Sequence, residues 1–304
     1  MASRPPSARP STVKTQKTKP LSAGPRRAKG KQAAAASGSR TRRWFLLGWL
    51  VLVLWLSVEY ARLPDVAPLL RENPRSTSLM AERAEEAREA NRRPRQRQAW
   101  VSLGAVAHHA VAAVLLSEDA RFYQHAGVDW AEVKNALGDA LEKGRLGRGA
   151  STLTQQLAKN LYLSTDRSLL RKGKELLLAR RLEAALPKQR ILALYLNLVE
   201  WGQGVYGIEA AAREHFGTSA RELTVAQGAM LAGMLPAPRR WLPARKPAAL
   251  HKRAWSIIER LEQGRSITPA EASEARAELT RFFGGPPPPP AQAPGIQFAN
   301  RATP

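Results

Sequence analysis

The chain has 304 residues, no cysteine and a formal charge of +23, which excludes disulfides, thiolate nucleophiles and Cys-ligated metals. It is long enough for one large domain or two small ones, with tails. A pI near 11.2 first suggests nucleic acid. However, about a dozen of the cations and no acid lie in residues 1–43. No zinc-ligand spacing, aromatic RNA-binding signature or basic zipper accompanies them, so no nucleic-acid partner is expected. The lack of cysteine fits an exported protein, and equally a Cys-free cytosolic one.

Residues 1–40 are rich in Pro, Ser, Ala and basic residues and bury too little apolar surface to offset ordering entropy, which predicts disorder. After Arg42 and Arg43 comes WFLLGWLVLVLWLSV, Trp44–Val58. These uncharged residues fall short of the roughly twenty that span a bilayer. Trp44 and Tyr60 at the headgroups, with Arg43 and Arg62 snorkelling, extend the anchor to residues 44–61. A cleaved signal peptide fits less well, because the run is bulky and no A-x-A-like site follows. The basic flank places residues 1–43 in the cytoplasm and the C-terminal bulk outside. Residues 62–99 read as a stalk broken by Pro64, Pro68 and Pro74. Within it, Ser78–Ala90 is a charged helical stretch that serves equally as a solvated surface helix.

From Trp100 the chain reads as helix after helix, so the expected class is mainly α, with the domain over 100–283. Asp129 caps WAEVKNALGDALEKG, which stops at Gly144, and Gly147 and Gly149 make a turn before Ser151 and Thr152. Ser168 opens a long helix to Leu186, and Pro187 starts KQRILALYLNLVEW. A further helix is expected at about 205–216. Thr224 with Gln227, and Thr268 with Glu271, form capping boxes. The Pro-rich 284–304 is an extended or disordered tail.

Glu118 and Asp119 sit where the apolar run AVAAVLL opens into polar sequence. At helical period Glu118 and Phe122 share a face, and a carboxylate at such a margin, partly desolvated, is a better proton acceptor. On position alone, adjacent acids ending a helix are more often a solvated terminus. The same holds for Arg171, Lys174 and Glu175 at i, i+3 and i+4, which spacing alone makes a surface ion pair worth about 0.3–0.5 kcal/mol. GASTLTQQLAKN puts hydroxyls and amide nitrogens at a helix N-terminus, an anion-binding arrangement.

Four blocks change these odds: SEDARFYQHAGVDW (117–130), GASTLTQQLAKNLYL (149–163), RKGKELLLARRLE (171–183) and KQRILALYLNLVEWGQGVYGIEAAAREHFG (188–217). Their order and spacing resemble a peptidoglycan glycosyltransferase of the monofunctional biosynthetic type, over about Asn73 to Pro238. No Ser-x-x-Lys followed by Lys-Thr-Gly occurs after residue 240, so the resemblance is to the transferase without a transpeptidase. It implies a lysozyme-like helical fold with head and jaw lobes. The substrates would be lipid II and the lipid-linked glycan chain. The enzyme would sit at the bacterial inner membrane with its catalytic domain periplasmic, and transpeptidases, divisome or elongation proteins would be its partners.

By the same resemblance Glu118 is the general base and Glu175 the second essential carboxylate, orienting basic groups or holding Mg²⁺ or Mn²⁺. Arg171, Lys172, Lys174 and Arg167 would neutralise the departing pyrophosphate. Asp119, Phe122, His125, Ser151, Thr152, Gln155, Gln156, Lys159 and Asn160 would form the substrate groove. For His125 a helix-end hydrogen bond is the stronger alternative to proton transfer, and for Ser151 and Thr152 capping coexists with binding. Tyr195 and Asn197 would be structural residues near the site. The chain departs from the family at Ala193, where many relatives carry Glu, and at His215, where Tyr is usual. The rivals are a lysozyme-like hydrolase, for which the cations beside Glu175 have no purpose, and a non-catalytic membrane-anchored scaffold working through its basic tail.

Overall fold

A computed structural model describes residues 31–143, 151–166 and 168–287. The expected turn at Gly144, Gly147 and Gly149, residues 1–30, Arg167 and residues 288–304 lie outside the described residues. The chain divides into two units, Met1–Val58 and Glu59–Pro304.

Helix α1 spans Lys31–Ala61, and its segment Arg42–Ala61, with mean hydropathy 1.7 and none of its window buried, is long and apolar enough to cross a membrane. The helix starts inside the stretch expected to be disordered. KQAAAA is rich in the best helix former, and extending an existing helix avoids the cost of nucleation.

In the second unit, α2 (Ser78–Glu89) is capped by Thr77, and Leu79 and Met80 are buried. It packs on α5 (Leu153–Tyr162). Arg83 also reaches the buried Glu200 at 3.1 Å, and Arg239 reaches Glu86 at 2.8 Å. The stretch expected to be a stalk therefore folds into the globular unit; its apolar positions were too few for the sequence to reveal which face was covered.

Two sets of helices build this unit. In one, α3 (His108–Glu118) packs on α9 (Val225–Met234), which lies against α10 (Ala248–Gln263) and α11 (Pro269–Phe283). Helix α9 is almost wholly buried, and Gly228 lets it approach α3, since a Cβ there would stand 3.0 Å from Ala110. In the other, α5 packs on α2, α6 (Leu169–Ala185) and α7 (Lys188–Leu198). Leu153, Leu157, Ala158 and Leu161 give α5 its buried face. Helix α4 (Trp130–Lys143) starts at Asp129, whose Oδ1 accepts from the amides of Ala131 (3.1 Å) and Glu132 (3.0 Å). Both capping boxes, at Thr224 and Thr268, are formed.

The helix expected to run through Trp201 stops at Leu198, and the one expected at 205–216 begins at Ile208 as α8 (Ile208–Phe216). Between them lie β2 (Glu200–Gly202) and β3 (Val205–Tyr206), which form with β1 (Arg97–Gln98) a sheet of order β1-β3-β2. Strand β3 is parallel to β1 and antiparallel to β2. Every residue of β2 and β3 is buried, so no alternation of polar and apolar positions marked them as strands. Gly207 takes φ 85°, and a Cβ there would stand 2.8 Å from the Asn197 carbonyl. The turn from sheet into α8 thus requires glycine.

Candidate active site

The apolar residues Ala110, Ala113 and Val114 hold α3 in the core up to its last residue, Glu118. Asp119 then turns extended, with φ −162°, leaving the Glu118 carboxylate at the helix end. Oε2 accepts from Gln156 Nε2 at 3.0 Å, and Oε1 accepts from Arg253 Nη2 at 3.0 Å. Ser117 Oγ is 3.3 Å from Oε1. Gln156 is itself held by the Tyr195 hydroxyl, which donates to its Oε1 at 3.0 Å. A buried donor thus orients the amide that orients the carboxylate.

Asp119 joins the first block to the second. Its Oδ2 accepts from the Leu153 amide at 2.9 Å, and Oδ1 lies 3.0 Å from His125 Nε2. Thr152, the N-cap of α5, donates to the Gly127 carbonyl at 2.7 Å, and Gln155 Nε2 donates to the same oxygen at 3.1 Å. Gly127 makes this possible with φ 85°. Of the three first-block residues expected in the substrate groove, Asp119 lines the pocket beside Glu118, and Phe122 and His125 have buried side chains. Phe122 is 1% exposed, and it begins a short 3-10 turn, Phe122–Gln124, rather than a further turn of α3. Asp119 and His125 are buried against each other. Phe122 and His125 do not line the pocket that holds Glu118 and Asp119.

On α6, Ser168 caps the first turn and Glu175 is buried one turn on. Arg171 Nη1 reaches Glu175 Oε2 at 2.7 Å, and Lys172 Nζ meets Oε1. Lys172 also donates to Ser151 Oγ (2.8 Å) and Gln155 Oε1 (3.1 Å). Lys159 of α5 lies beside this cluster. Burial pushes its ammonium below the usual lysine range, Glu175 opposes that, and Arg171 and Lys172 add to it. Lys174 is not part of the cluster: it pairs with Glu59 at 2.7 Å. The i, i+3 spacing was satisfied by a partner from another part of the chain, which the helical wheel cannot show. Asn160 is buried on α5. Asn197 brackets Val101, accepting from its amide and donating to its carbonyl, both at 2.9 Å. His215 Nε2 lies 2.7 Å from the Trp201 carbonyl.

A pocket brings Glu118 and Asp119 together with Ser151, Thr152 and, from α10, Arg260. Arg253 and Arg260 are functional candidates that the sequence reading missed. The amphipathic KRAWSIIER was the available signal, but its polar face had no visible partner. The residues do not suit a divalent metal at Glu175. Both carboxylate oxygens are engaged by cations, and among the described residues no group of three or more His, Asp or Glu converges on a common point. The groups that face the Glu175 carboxylate are the Arg171 guanidinium and the Lys172 ammonium.

Burial, with the Glu118 and Asp119 carboxylates nearby, holds the Tyr195 hydroxyl protonated well above its usual 10.0. The folded state keeps a proton that the unfolded chain loses above that pH. The stabilising contribution is therefore whole below about pH 10 and is lost as pH rises towards the folded value. Tyr195→Phe should lessen the alkaline decline in melting temperature, to which the buried Tyr206 also contributes, and, by leaving Gln156 unheld, cost about 1 kcal/mol at neutral pH. Melting curves from about pH 8 to pH 11 check both; equal alkaline slopes in the two proteins would contradict it.

A helical domain with a pinned carboxylate at a cleft and a cation cluster on the same supporting helix has the layout of a group-transfer enzyme. The Transglycosylase family pattern matches residues 84–262, and the chain belongs to that family. A "Biosynthetic peptidoglycan transglycosylase" from Rhodospirillum centenum is 46% identical over 216 residues, 71% of this chain and 87% of that protein. One of the same name from Herminiimonas arsenicoxydans is 41% identical, covering 71% of this chain and 95% of that protein. Among solved structures, penicillin-binding protein 1A of Haemophilus influenzae matches with a TM-score of 0.34 and 22% identity, over 59% of this chain and 17% of that one.

Proposed function

We propose that the chain polymerises lipid II into β-1,4-linked glycan with release of undecaprenyl diphosphate. Glu118 takes the proton from the acceptor sugar's 4-hydroxyl as that oxygen bonds to the donor's anomeric carbon. The bond from that carbon to the diphosphate oxygen breaks, and the electron pair leaves with the diphosphate. Attack opposite an α-linked leaving group inverts the centre, so no covalent enzyme intermediate is needed. Arg171, Lys172 and Lys159 receive the charge that develops on the leaving group. Ser151, which lines the pocket with Glu118 and accepts from Lys172, suits a sugar hydroxyl or phosphate oxygen.

One observation carries this reading: neighbouring glutamines on α5 serve the two centres, Gln156 binding Glu118 and Gln155 binding Lys172 beside Glu175. A base on α3 and an anion site on α6 are thereby both tied to α5, which holds their separation fixed as in-line transfer requires. Anchoring by α1 with the catalytic unit outside the inner membrane would confine enzyme and lipid-linked substrate to one surface and raise their effective concentration. Transpeptidases that cross-link the emerging strand are the natural partners. Incubation of the purified full chain with lipid II should yield long glycan and free undecaprenyl diphosphate. Shortening of preformed glycan without polymer growth would instead identify a hydrolase.

A further inference from the structure

We propose that Arg253 is a positioning residue for Glu118, holding one carboxylate oxygen so that the other is presented to the acceptor hydroxyl; this rests on the general-base reading above. The helix end is a poor place for an anion. Glu118 closes α3 at the negative pole of its dipole, and Asp119 follows immediately. Several of the other charged and titratable groups around it have partners of their own or stay neutral. Asp119 is bound to His125 and the Leu153 amide. Arg121 faces Asp129 at 3.4 Å. Tyr195 on α7 stays protonated and binds Gln156. Arg260 and Glu132 line the same pocket as Glu118.

Arg253 is the cation that reaches the carboxylate. Its Nη2 lies 3.0 Å from Oε1, with the two side chains 15% and 11% exposed. The same nitrogen is 3.4 Å from the Ser117 carbonyl, so the guanidinium also binds the helix end, as a C-terminal arginine does. Oxygen Oε1 is further crowded by Ser117 Oγ. Oxygen Oε2 carries one donor among the described residues, Gln156. A carboxylate oxygen accepts about two hydrogen bonds, so the open position, and with it the incoming hydroxyl, belongs to Oε2. Arg253 comes from α10, more than a hundred residues further along the chain, so packing of α10 on α3 sets the aim of the base.

The test is steady-state polymerisation of lipid II by the full chain in lipid vesicles, comparing Arg253→Met, Arg253→Lys and Glu118→Gln. Arg253→Met should lower kcat about 10- to 100-fold, part of what a positioned base contributes, with KM within about threefold. Arg253→Lys, a cation without the planar fork, should recover much of the rate. Arg253→Met with kcat within about threefold of wild type, beside an inactive Glu118→Gln, would overturn the proposal and leave the base reading standing. A loss that lysine does not recover, with a lowered melting temperature in both arginine variants, would reduce Arg253 to helix packing and overturn it too. An active Glu118→Gln would remove the base reading itself, and the proposal with it.

Discussion

Glu118→Gln is expected to cut glycan polymerisation by about 10²- to 10⁴-fold, the usual contribution of a positioned general base, while lipid II still binds. Glutamine keeps the shape of the side chain and one acceptor oxygen, so Gln156 and Arg253 still find a partner in the same place. What is lost is the ability to receive a proton. The neighbouring residues offer no substitute: Asp119 is buried and committed to Leu153 and His125, and Ser117 and Gln156 are not bases. The fold should survive, because the Arg253 contact is a partly exposed ion pair downgraded to a charged–neutral hydrogen bond. Initial rates on labelled lipid II, with binding measured separately, check the expectation. A rate within about tenfold of wild type, less than the lower end of that range, would remove Glu118 from the chemistry.

The second large effect is expected at Glu175. Glu175→Gln leaves Arg171 and Lys172 facing each other without the buried carboxylate between them. The two cations then repel, and Lys172 loses the restraint that keeps it on Ser151 and Gln155. A site shaped for a departing diphosphate is scattered, and removal of such preorganised stabilisation typically costs about 10²- to 10³-fold in kcat. Stability should fall as well, but by less than the about 3–5 kcal/mol of a fully buried broken pair, because the Lys172 side chain is 38% exposed. Added Mg²⁺ should not restore the rate, since the donor set around Glu175 is one of cations. Measuring kcat well below the melting temperature separates the two losses. An unchanged kcat, or recovery with Mg²⁺, would contradict this account of the cluster.

Much of the local architecture was legible in the chain itself. Thr224 with Gln227 and Thr268 with Glu271 announced helix starts, because a capping box is completed within four residues. Asp129 and Ser168 did the same, their side chains accepting from the amides of Ala131 and Arg171. Elsewhere local logic misled. Glu118 and Phe122 satisfy a helical spacing, yet the backbone turns at Asp119 because its carboxylate is used to hold α5. Lys174 shares a helical face with Glu175 on paper and pairs with Glu59 in space.

What residues 31–287 settled unaided was the existence of an apolar segment able to cross a membrane, a mainly helical domain, and the two acidic positions around which the blocks are arranged. The first two depend on composition, caps and periodicity, all of which act over a few residues; the acidic positions rest on the resemblance of the blocks to a known family. Only the tertiary structure decided which distant groups meet: Gln156 and Arg253 at Glu118, and α2 on α5 rather than beneath the domain. Such pairings join segments tens to more than a hundred residues apart. Their choice is made by the packing of buried helix faces, whose partners no local pattern can name.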